Sequence, residues 1–266
     1  MKSNNFFSVL QHKNPFLSIV GWLNVGLLLI FLGLYSFDTR TILGISPWIK
    51  PIKFSVSIVV YLWTMVLVLD CLKGVSKKVK TYSFWIGWAM VIEIALITLQ
   101  SARGTTSHFN IVHTLDMIIF NVMGVFILIN TIVLIMITID YFRLSVKLSP
   151  EMLWAIRLGL ILLLLASFEA GFMLGLNKHT VGAADGSKGL PLLNWSTRFG
   201  DLRIAHFVGM HAIQLLPLLV LFNQKLNIFK NPKSKKTMVM TSGLLIFSLM
   251  LFVLIQALNG IPLFRI

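Results

Sequence analysis

The chain has 266 residues, of which 57% are hydrophobic and only 12% are charged. An ordinary soluble domain carries about 25% charged residues, so this composition excludes the common classes of soluble enzyme and binding domain. The net charge is +14, but the basic residues lie in the connections between apolar runs, so we predict no nucleic-acid partner. Cys71 is the only cysteine, which excludes an intramolecular disulfide.

Seven apolar runs determine the predicted fold class. They cover residues 16–35, 54–72, 85–99, 117–139, 156–176, 204–222 and 238–258. Helical runs of about 20 residues cross the ~30 Å hydrocarbon core of a bilayer. The sequence therefore predicts an all-α, polytopic integral membrane protein with about seven transmembrane helices in one bundle. We expect a single domain over residues 1–266, in contact with the lipid bilayer of a plasma membrane such as a bacterial inner membrane.

The distribution of Lys and Arg predicts the orientation of the chain. If the N-terminus is cytoplasmic, most of the 23 basic residues fall in the inner segments, chiefly within residues 73–80, 143–147 and 225–236. Short cytoplasmic loops of membrane proteins are enriched in Lys and Arg. We therefore predict that the N-terminus lies inside and the C-terminus outside.

Two glutamates lie deep within apolar runs. Glu93 precedes Gln100 by seven residues, and Glu169 precedes Leu176 by the same number. At 1.5 Å per residue, each carboxyl group is about 10 Å from the outer end of its helix. A charged group at that depth is costly, and an ionisable residue inside a membrane is a functional-site candidate by default. We predict that both glutamates are catalytic.

A short sequence similarity links two regions of the chain. HFNIVH at 108–113 resembles HFVGMH at 206–211, and each is predicted to begin an inward-running helix, the first of them soon after Gly104. A parallel repeat of the kind found in some transporters would produce this pattern, and chance recurrence at helix starts is the alternative. Histidines five residues apart on one helix point about 140° away from each other, so neither helix chelates a metal with its own pair.

The connection of residues 177–203 is unusually long and rich in functional residue types. It contains His179, Asp185 and Arg203. Long connections are usually either functional or disordered, and the apolar residues here argue against disorder. We predict an ordered outer loop that caps the bundle, with Arg203 or Arg103 beside the buried glutamates. The side chains expected to be buried are Leu190, Leu192, Leu193, Trp195 and Phe199.

The first functional hypothesis is a membrane-embedded enzyme with an outward-facing histidine and carboxylate site that binds a transition metal and acts on a lipid or small apolar molecule. Imidazole and carboxylate together suit zinc or iron. The predicted catalytic residues are Glu93, Glu169, Asp185 and Arg203, and the predicted metal ligands are His113, His211 and His179. Seven helices with His and Asp near one face resemble the broad class of membrane hydrolases that includes alkaline ceramidases, although their HxxxH spacing is missing here.

Two alternatives remain open from the sequence. The first is a redox protein in which His108 and His206, or His113 and His211, bind a haem iron axially. That haem would be bound non-covalently because the chain has no CxxCH motif. The second is a proton-coupled transporter or receptor in which Glu93 carries protons together with Glu169, and the long connection acts as a gate.

Overall fold

The structure is a computed structural model that describes residues 6–186 and 189–265. Seven helical stretches in this part of the chain are long and apolar enough to cross a membrane. The all-α, seven-span prediction is therefore confirmed. The helices are α1 (Phe6–Lys13), α2 (Pro15–Phe37), α3 (Ile49–Asp70), α4 (Ser76–Arg103), α5 (Thr114–Arg143), α6 (Pro150–Leu176), α7 (Arg203–Met210), α8 (Ala212–Leu226) and α9 (Pro232–Leu258). The helices α7 and α8 together form the sixth span.

Local sequence signals fix several helix ends. The helices α2, α6 and α9 each begin with a proline, which has no backbone N–H to leave unsatisfied at that position. The preceding residues Asn14, Ser149 and Asn231 each accept a backbone N–H from three residues later. The helix α4 ends at Gly104, whose φ of +74° is readily adopted only by glycine.

The chain divides into two compact units, residues 1–133 and 134–266, with the boundary inside α5. In the first unit, α2 packs along α3, and α4 packs against both. Two glycines admit aromatic rings into these contacts. A Cβ at Gly21 would overlap the indole of Trp63, and a Cβ at Gly87 would overlap the ring of Phe16. The aromatic rings thus fill the space that the glycines leave open.

In the second unit, α6 is the central helix and packs against α7, α8 and α9. Small residues permit close approach of these helices. A Cβ at Gly159 would lie 2.7 Å from the Cα of Ile213, and one at Gly209 would lie 2.8 Å from the Cβ of Ala166. The buried apolar core of this unit includes Ala155, Leu162, Ala205, Ala212, Leu216, Val220, Val239, Met250 and Val253.

The long connection is held at both of its ends. Strand β1 (Thr180–Val181) pairs antiparallel with strand β2 (Gly200–Asp201). A Cβ at Gly200 would overlap the carbonyl oxygen of Ala257, so this strand lies directly against α9. Trp195 packs onto the core formed by α6, α7 and α9. The connection therefore folds back over its own unit.

The prediction that all the apolar residues of this connection are buried is wrong for Leu192 and Leu193. Leu192 is 72% exposed, and Leu193 is also exposed. The backbone of Leu192 has a φ of 62°, and that of Asn194 a φ of 53°, so the chain reverses sharply here. Because both leucines lie in this turn, their side chains project away from the core on which Trp195 packs.

The start of the fourth span also differs from the sequence-based prediction. The helix α5 begins at Thr114, so His108 and His113 lie in a non-helical segment that precedes it. The side-chain amide of Asn110 donates to Thr105 Oγ1 at 2.9 Å and to the carbonyl of Thr106 at 3.1 Å. These bonds stabilise a compact turn in place of the first helical turns, because Asn side chains compete with helical backbone bonding.

The sixth span is interrupted at His211, which separates α7 from α8. The helix α7 begins at Arg203, directly after its N-cap residue Leu202. The carboxylate of Asp201 accepts the backbone N–H of Arg203 at 3.1 Å. Pro217 lies inside α8.

Candidate functional site

The first unit contains a buried glutamate beside a partly exposed histidine. Glu93 lies on α4 and is 2% exposed. The Nε2 atom of His108 is 3.5 Å from Oε1 of Glu93. The Nδ1 atom of the same ring is 3.2 Å from the hydroxyl of Ser107. The non-helical segment before α5 thus brings an imidazole to a carboxyl group that is buried in a candidate membrane span.

Aromatic side chains surround His108. The ring centroids of Phe54, Phe109 and Phe120 lie 5.9, 6.2 and 6.1 Å from that of the imidazole. The ammonium of Lys50 is 5.7 Å from the centroid of Phe54. The imidazole of His108 is therefore packed among three phenyl rings.

The second unit contains the same type of pair. Glu169 lies on α6 and is 3% exposed. The Nδ1 atom of His206, on α7, is 3.6 Å from Oε2 of Glu169. Nδ1 is also 2.8 Å from the carbonyl oxygen of Ala166. A carbonyl oxygen only accepts hydrogen bonds, so Nδ1 is the donor and carries a proton.

The carboxyl groups of both pairs have unused hydrogen-bonding capacity. Among the described residues, Oε2 of Glu93 and both carboxyl oxygens of Glu169 are buried without a hydrogen-bond partner. The separations of 3.5 and 3.6 Å from the histidines exceed those of direct hydrogen bonds. Buried polar atoms without partners are rare in native proteins, and they require an explanation such as catalysis or an ion.

The predicted placement of Arg103 or Arg203 beside the glutamates is wrong, because each arginine pairs with an aspartate instead. Arg103 lies 2.5 Å from the buried carboxylate of Asp116, which also accepts a hydrogen bond from Gln100 at 2.9 Å. Arg203 lies 2.6 Å from the buried carboxylate of Asp201. Asp116 is in the first turn of α5, which follows Arg103, and Asp201 is two residues before Arg203. Each carboxylate therefore reaches its arginine across a short stretch of chain.

The geometry of the Asp201–Arg203 pair occurs at a second position, in an Asp-x-Arg sequence that the sequence-based predictions did not include. In Asp38-Thr39-Arg40, Nε of the arginine is 3.0 Å from Oδ1 and Nη2 is 2.7 Å from Oδ2 of the aspartate. The corresponding distances between Arg203 and Asp201 are 2.9 and 2.6 Å. Both motifs form a bidentate pair across a turn between two spans, so the motif could have been read from local sequence.

The Asp38 carboxylate is held by further contacts. It accepts a hydrogen bond from the indole of Trp48 at 2.8 Å, and Arg40 donates to the carbonyl of Ala102 at 2.9 Å. The hydrogen bonds from Arg40 and Trp48 hold the pKa of Asp38 well below its usual range. This group ties the end of α2 to the end of α4, close to the segment that carries His108.

The remaining predicted residues lie elsewhere in their units. His113 is exposed immediately before α5. The ring of His211 packs against that of Phe207, with centroids 4.3 Å apart. His179 contacts Asp185 in the long connection, with Nδ1 2.5 Å from Oδ1. Within residues 6–186 and 189–265, no group of three or more His, Cys, Asp or Glu is arranged to hold a metal ion. Metal binding by His113, His211 and His179 stays a prediction.

The contact between His179 and Asp185 stabilises the connection after α6. Asp185 also accepts the backbone N–H of Thr180 at 2.9 Å. Burial by itself would raise the pKa of Asp185, but the hydrogen bonds from His179 and Thr180 lower it to about 2. The carboxylate is therefore ionised at neutral pH and holds strand β1 in place. The catalytic role of Asp185 stays a prediction.

No protein-family model, no curated protein and no solved structure matches this chain. Its function is therefore inferred from the geometry of its own residues. The main feature of that geometry is the repetition in both units of a buried glutamate beside a partly exposed histidine.

Proposed function

We propose that this protein is a proton-coupled membrane transporter in which two pairs, Glu93 with His108 and Glu169 with His206, take up and release protons. The observation that supports this proposal most directly is the contact distance of 3.5 or 3.6 Å between each buried carboxyl group and its imidazole. Chains of Glu, Asp and His inside membrane spans are typical of proton pathways in pumps and transporters.

Burial and partial exposure give the two members of each pair different roles. The glutamates are almost inaccessible, whereas the side chains of His108 and His206 are 27% and 26% exposed. A buried ionised carboxylate without a partner is costly, so loss of its proton requires a cation nearby. An adjacent imidazole can accept that proton and pass it to water. His108 is thus positioned as the intermediate between solvent and Glu93, whereas His206 faces Glu169 with Nδ1, which already carries a proton and can only donate it.

The occurrence of one pair in each compact unit also supports transport. The histidines of the two pairs are the first residues of the similar sequences at 108–113 and 206–211. Transporters are often built from repeated halves, with the binding sites for substrate and coupling ions formed by corresponding segments. We infer that the chain is such a duplication, and that it lies in a plasma membrane with its N-terminus in the cytoplasm, as the Lys and Arg bias favours.

A second candidate function, metal or haem binding, is favoured by one contact. His206 directs Nδ1–H at the carbonyl of Ala166 at 2.8 Å. Histidines that bind metals usually donate one ring N–H to a carbonyl or carboxylate, which orients the other nitrogen towards the metal. His206 is therefore a suitable single ligand for zinc, iron or a haem. With a metal bound there, the protein would be an enzyme that acts on a lipid or small apolar substrate.

Proton flux in proteoliposomes tests the main proposal. The purified full-length protein is reconstituted with a pH-sensitive dye inside the vesicles, and candidate solutes are added under an imposed pH gradient. We expect solute-dependent proton movement that is lost in Glu93→Gln and in Glu169→Gln. The matched control is Glu151→Gln, since this buried glutamate is on the same helix as Glu169 but about 27 Å away along its axis.

Infrared difference spectroscopy supplies a test that needs no solute. A pH jump applied to the reconstituted protein should change the carboxyl stretching band, and Glu93→Gln and Glu169→Gln should each remove part of that change. If the spectra of both variants equal that of the wild type, these carboxyl groups do not exchange protons. Haem is tested separately by visible absorbance of the purified protein, which distinguishes the second candidate from the first.

A further inference from the structure

A group of cations and aromatic rings lies in the second unit at the opposite end of α6 from Glu169. Arg157 donates from Nε to the carbonyl oxygen of Tyr141 at 3.0 Å. Its guanidinium carbon is 4.8 Å from the ring centroid of Phe142 and 5.5 Å from that of Trp154. The ammonium of Lys236, in the second turn of α9, is 5.3 Å from the centroid of Trp154. The indole of Trp154 therefore has a cation from each of two helices beside it.

The charges of these two cations are not balanced by an ion pair within residues 6–186 and 189–265. The acidic residues at this end of the unit, Asp140 and Glu151, are buried. The accessible charge is therefore positive, and it is increased by further lysines nearby in sequence. These are Lys225, Lys230, Lys233 and Lys235.

The position of Arg157 along its helix indicates the environment of its guanidinium. Arg157 is seven residues after Pro150, the first residue of α6, which is about 10 Å along the axis. Long basic side chains at this depth extend towards the headgroups of the lipids. The carbonyl of Tyr141 and the two rings hold the planar guanidinium in one orientation, with Nη1 and Nη2 left to bond another group. A preorganised guanidinium binds phosphate through two parallel hydrogen bonds.

We propose that Arg157 and Lys236 form a binding site for the phosphate of an anionic phospholipid, with the lipid glycerol against Trp154. Tryptophan is enriched at the membrane interface, where its ring contacts the region between headgroup and acyl chain. Basic sites between transmembrane helices on the cytoplasmic side bind anionic headgroups in other membrane proteins. The site lies at the other end of α6 from the proton-binding pair, and it does not depend on the transport proposal.

Native mass spectrometry of the delipidated full-length protein in detergent tests this site. The probes are phosphatidylglycerol and phosphatidylcholine with identical acyl chains. We expect the wild type to bind phosphatidylglycerol more tightly, and we expect Arg157→Gln and Lys236→Gln each to weaken it about tenfold, the loss for one charge-assisted hydrogen bond. The variant Arg157→Lys keeps the charge but lacks the planar fork, so an intermediate loss is expected.

The control is Lys225→Gln, which removes the same charge from the end of α8 without an aromatic partner. Equal losses for Lys225→Gln and Lys236→Gln would show that only bulk charge matters and would overturn the site. Equal binding of the two lipids by the wild type would also overturn it. Inorganic phosphate that displaces the lipid at low millimolar concentration would identify a free-anion site instead. If Arg157→Gln does not fold, the variant Lys236→Gln still tests the site, because Lys236 is exposed and its replacement should not affect folding.

Discussion

The two units present the same pair of residues on different local structures. In the first unit, His108 lies on a non-helical segment and reaches Glu93 through Nε2. In the second unit, His206 lies on a helix and reaches Glu169 through Nδ1. The difference extends to the other ring nitrogen of His108, which contacts a hydroxyl group. A serine hydroxyl can donate or accept, so it permits either tautomer of His108, whereas the carbonyl of Ala166 fixes that of His206.

This comparison indicates different functions for the two histidines. A proton passes through an imidazole when the ring gains a proton at one nitrogen and loses one from the other, which exchanges its tautomers. The hydroxyl of Ser107 is compatible with this exchange at His108, whereas the carbonyl of Ala166 holds His206 in one tautomer. We therefore expect the first unit to conduct protons to and from water, and the second to retain a proton for longer.

The largest expected effect is a difference in stability between variants of the two Asp-x-Arg pairs, which have the same geometry. In Arg203→Gln, the fully buried carboxylate of Asp201 loses its cation, and breaking such a buried pair costs about 3–5 kcal/mol. In Arg40→Gln, the loss should be much smaller because Asp38 is closer to solvent. Thermal unfolding of the purified variants in detergent measures both. Equal destabilisation would show that burial does not distinguish the two pairs.

The next effect concerns the buried glutamates. Glu93→Gln and Glu169→Gln should each reduce solute-dependent proton flux about a hundredfold, since the amide retains the shape but no longer exchanges a proton. Glu151→Gln should leave the flux close to that of the wild type. Retained flux in one of the two variants would restrict proton coupling to the unit whose glutamate is still intact.

A smaller effect distinguishes the two histidines. His108→Gln should reduce flux by at least about tenfold, because the proton pathway loses its intermediate carrier. His206→Gln should reduce it less, since the glutamine amide can still donate to the carbonyl of Ala166. The two variants are compared in the same proteoliposome measurement. A greater loss for His206→Gln would reverse the roles assigned to the two units.

The smallest effect is local and depends on pH. The pKa of Asp185 is lowered from 3.8 to about 2 in the folded protein. A lowered carboxyl pKa contributes stability that is present above the unfolded pKa and is lost as pH falls through the folded pKa. The protection factor of the β1 amides, which corrects hydrogen exchange for its intrinsic pH dependence, should therefore fall between about pH 4 and 2. In Asp185→Asn this protection factor should already be low at neutral pH, with little further change on acidification.

The spans were predictable because their signal is long and redundant. Each run contains about 20 apolar residues, so one misplaced residue does not hide it. The start of α5 was mispredicted because a few local bonds decide it. Asn110 bonds to the preceding turn, and Phe109 has a φ of 58°, a value that is unusual for phenylalanine. Neither the hydrogen bond of Asn110 nor the φ of Phe109 follows from a recognisable sequence pattern.

The candidate site was predictable in part for the same reason. The burial of Glu93 and Glu169 follows from their apolar neighbours, and the structure places both in the interior. The choice of partner does not follow, because it depends on how a loop and a neighbouring helix pack. The sequence offered two histidines in each motif, and the first of the two lies beside the glutamate in both units. Helical spacing gave no information about His108, since its segment is not helical.

The contact of Gly200 with Ala257 has a mechanical consequence. It joins strand β2 to the last turn of α9, without a side chain to absorb relative movement. The first turns of α9 carry Lys236, about 32 Å from Ala257 along the helix. A helix is stiff along its axis, so an axial displacement at its first turns reaches β2 almost undiminished. From there it passes through Asp201 to Arg203, the first residue of the helix that holds His206. In the second unit, α9 therefore links the residues around Lys236, at one end of a candidate span, to the helix that carries His206.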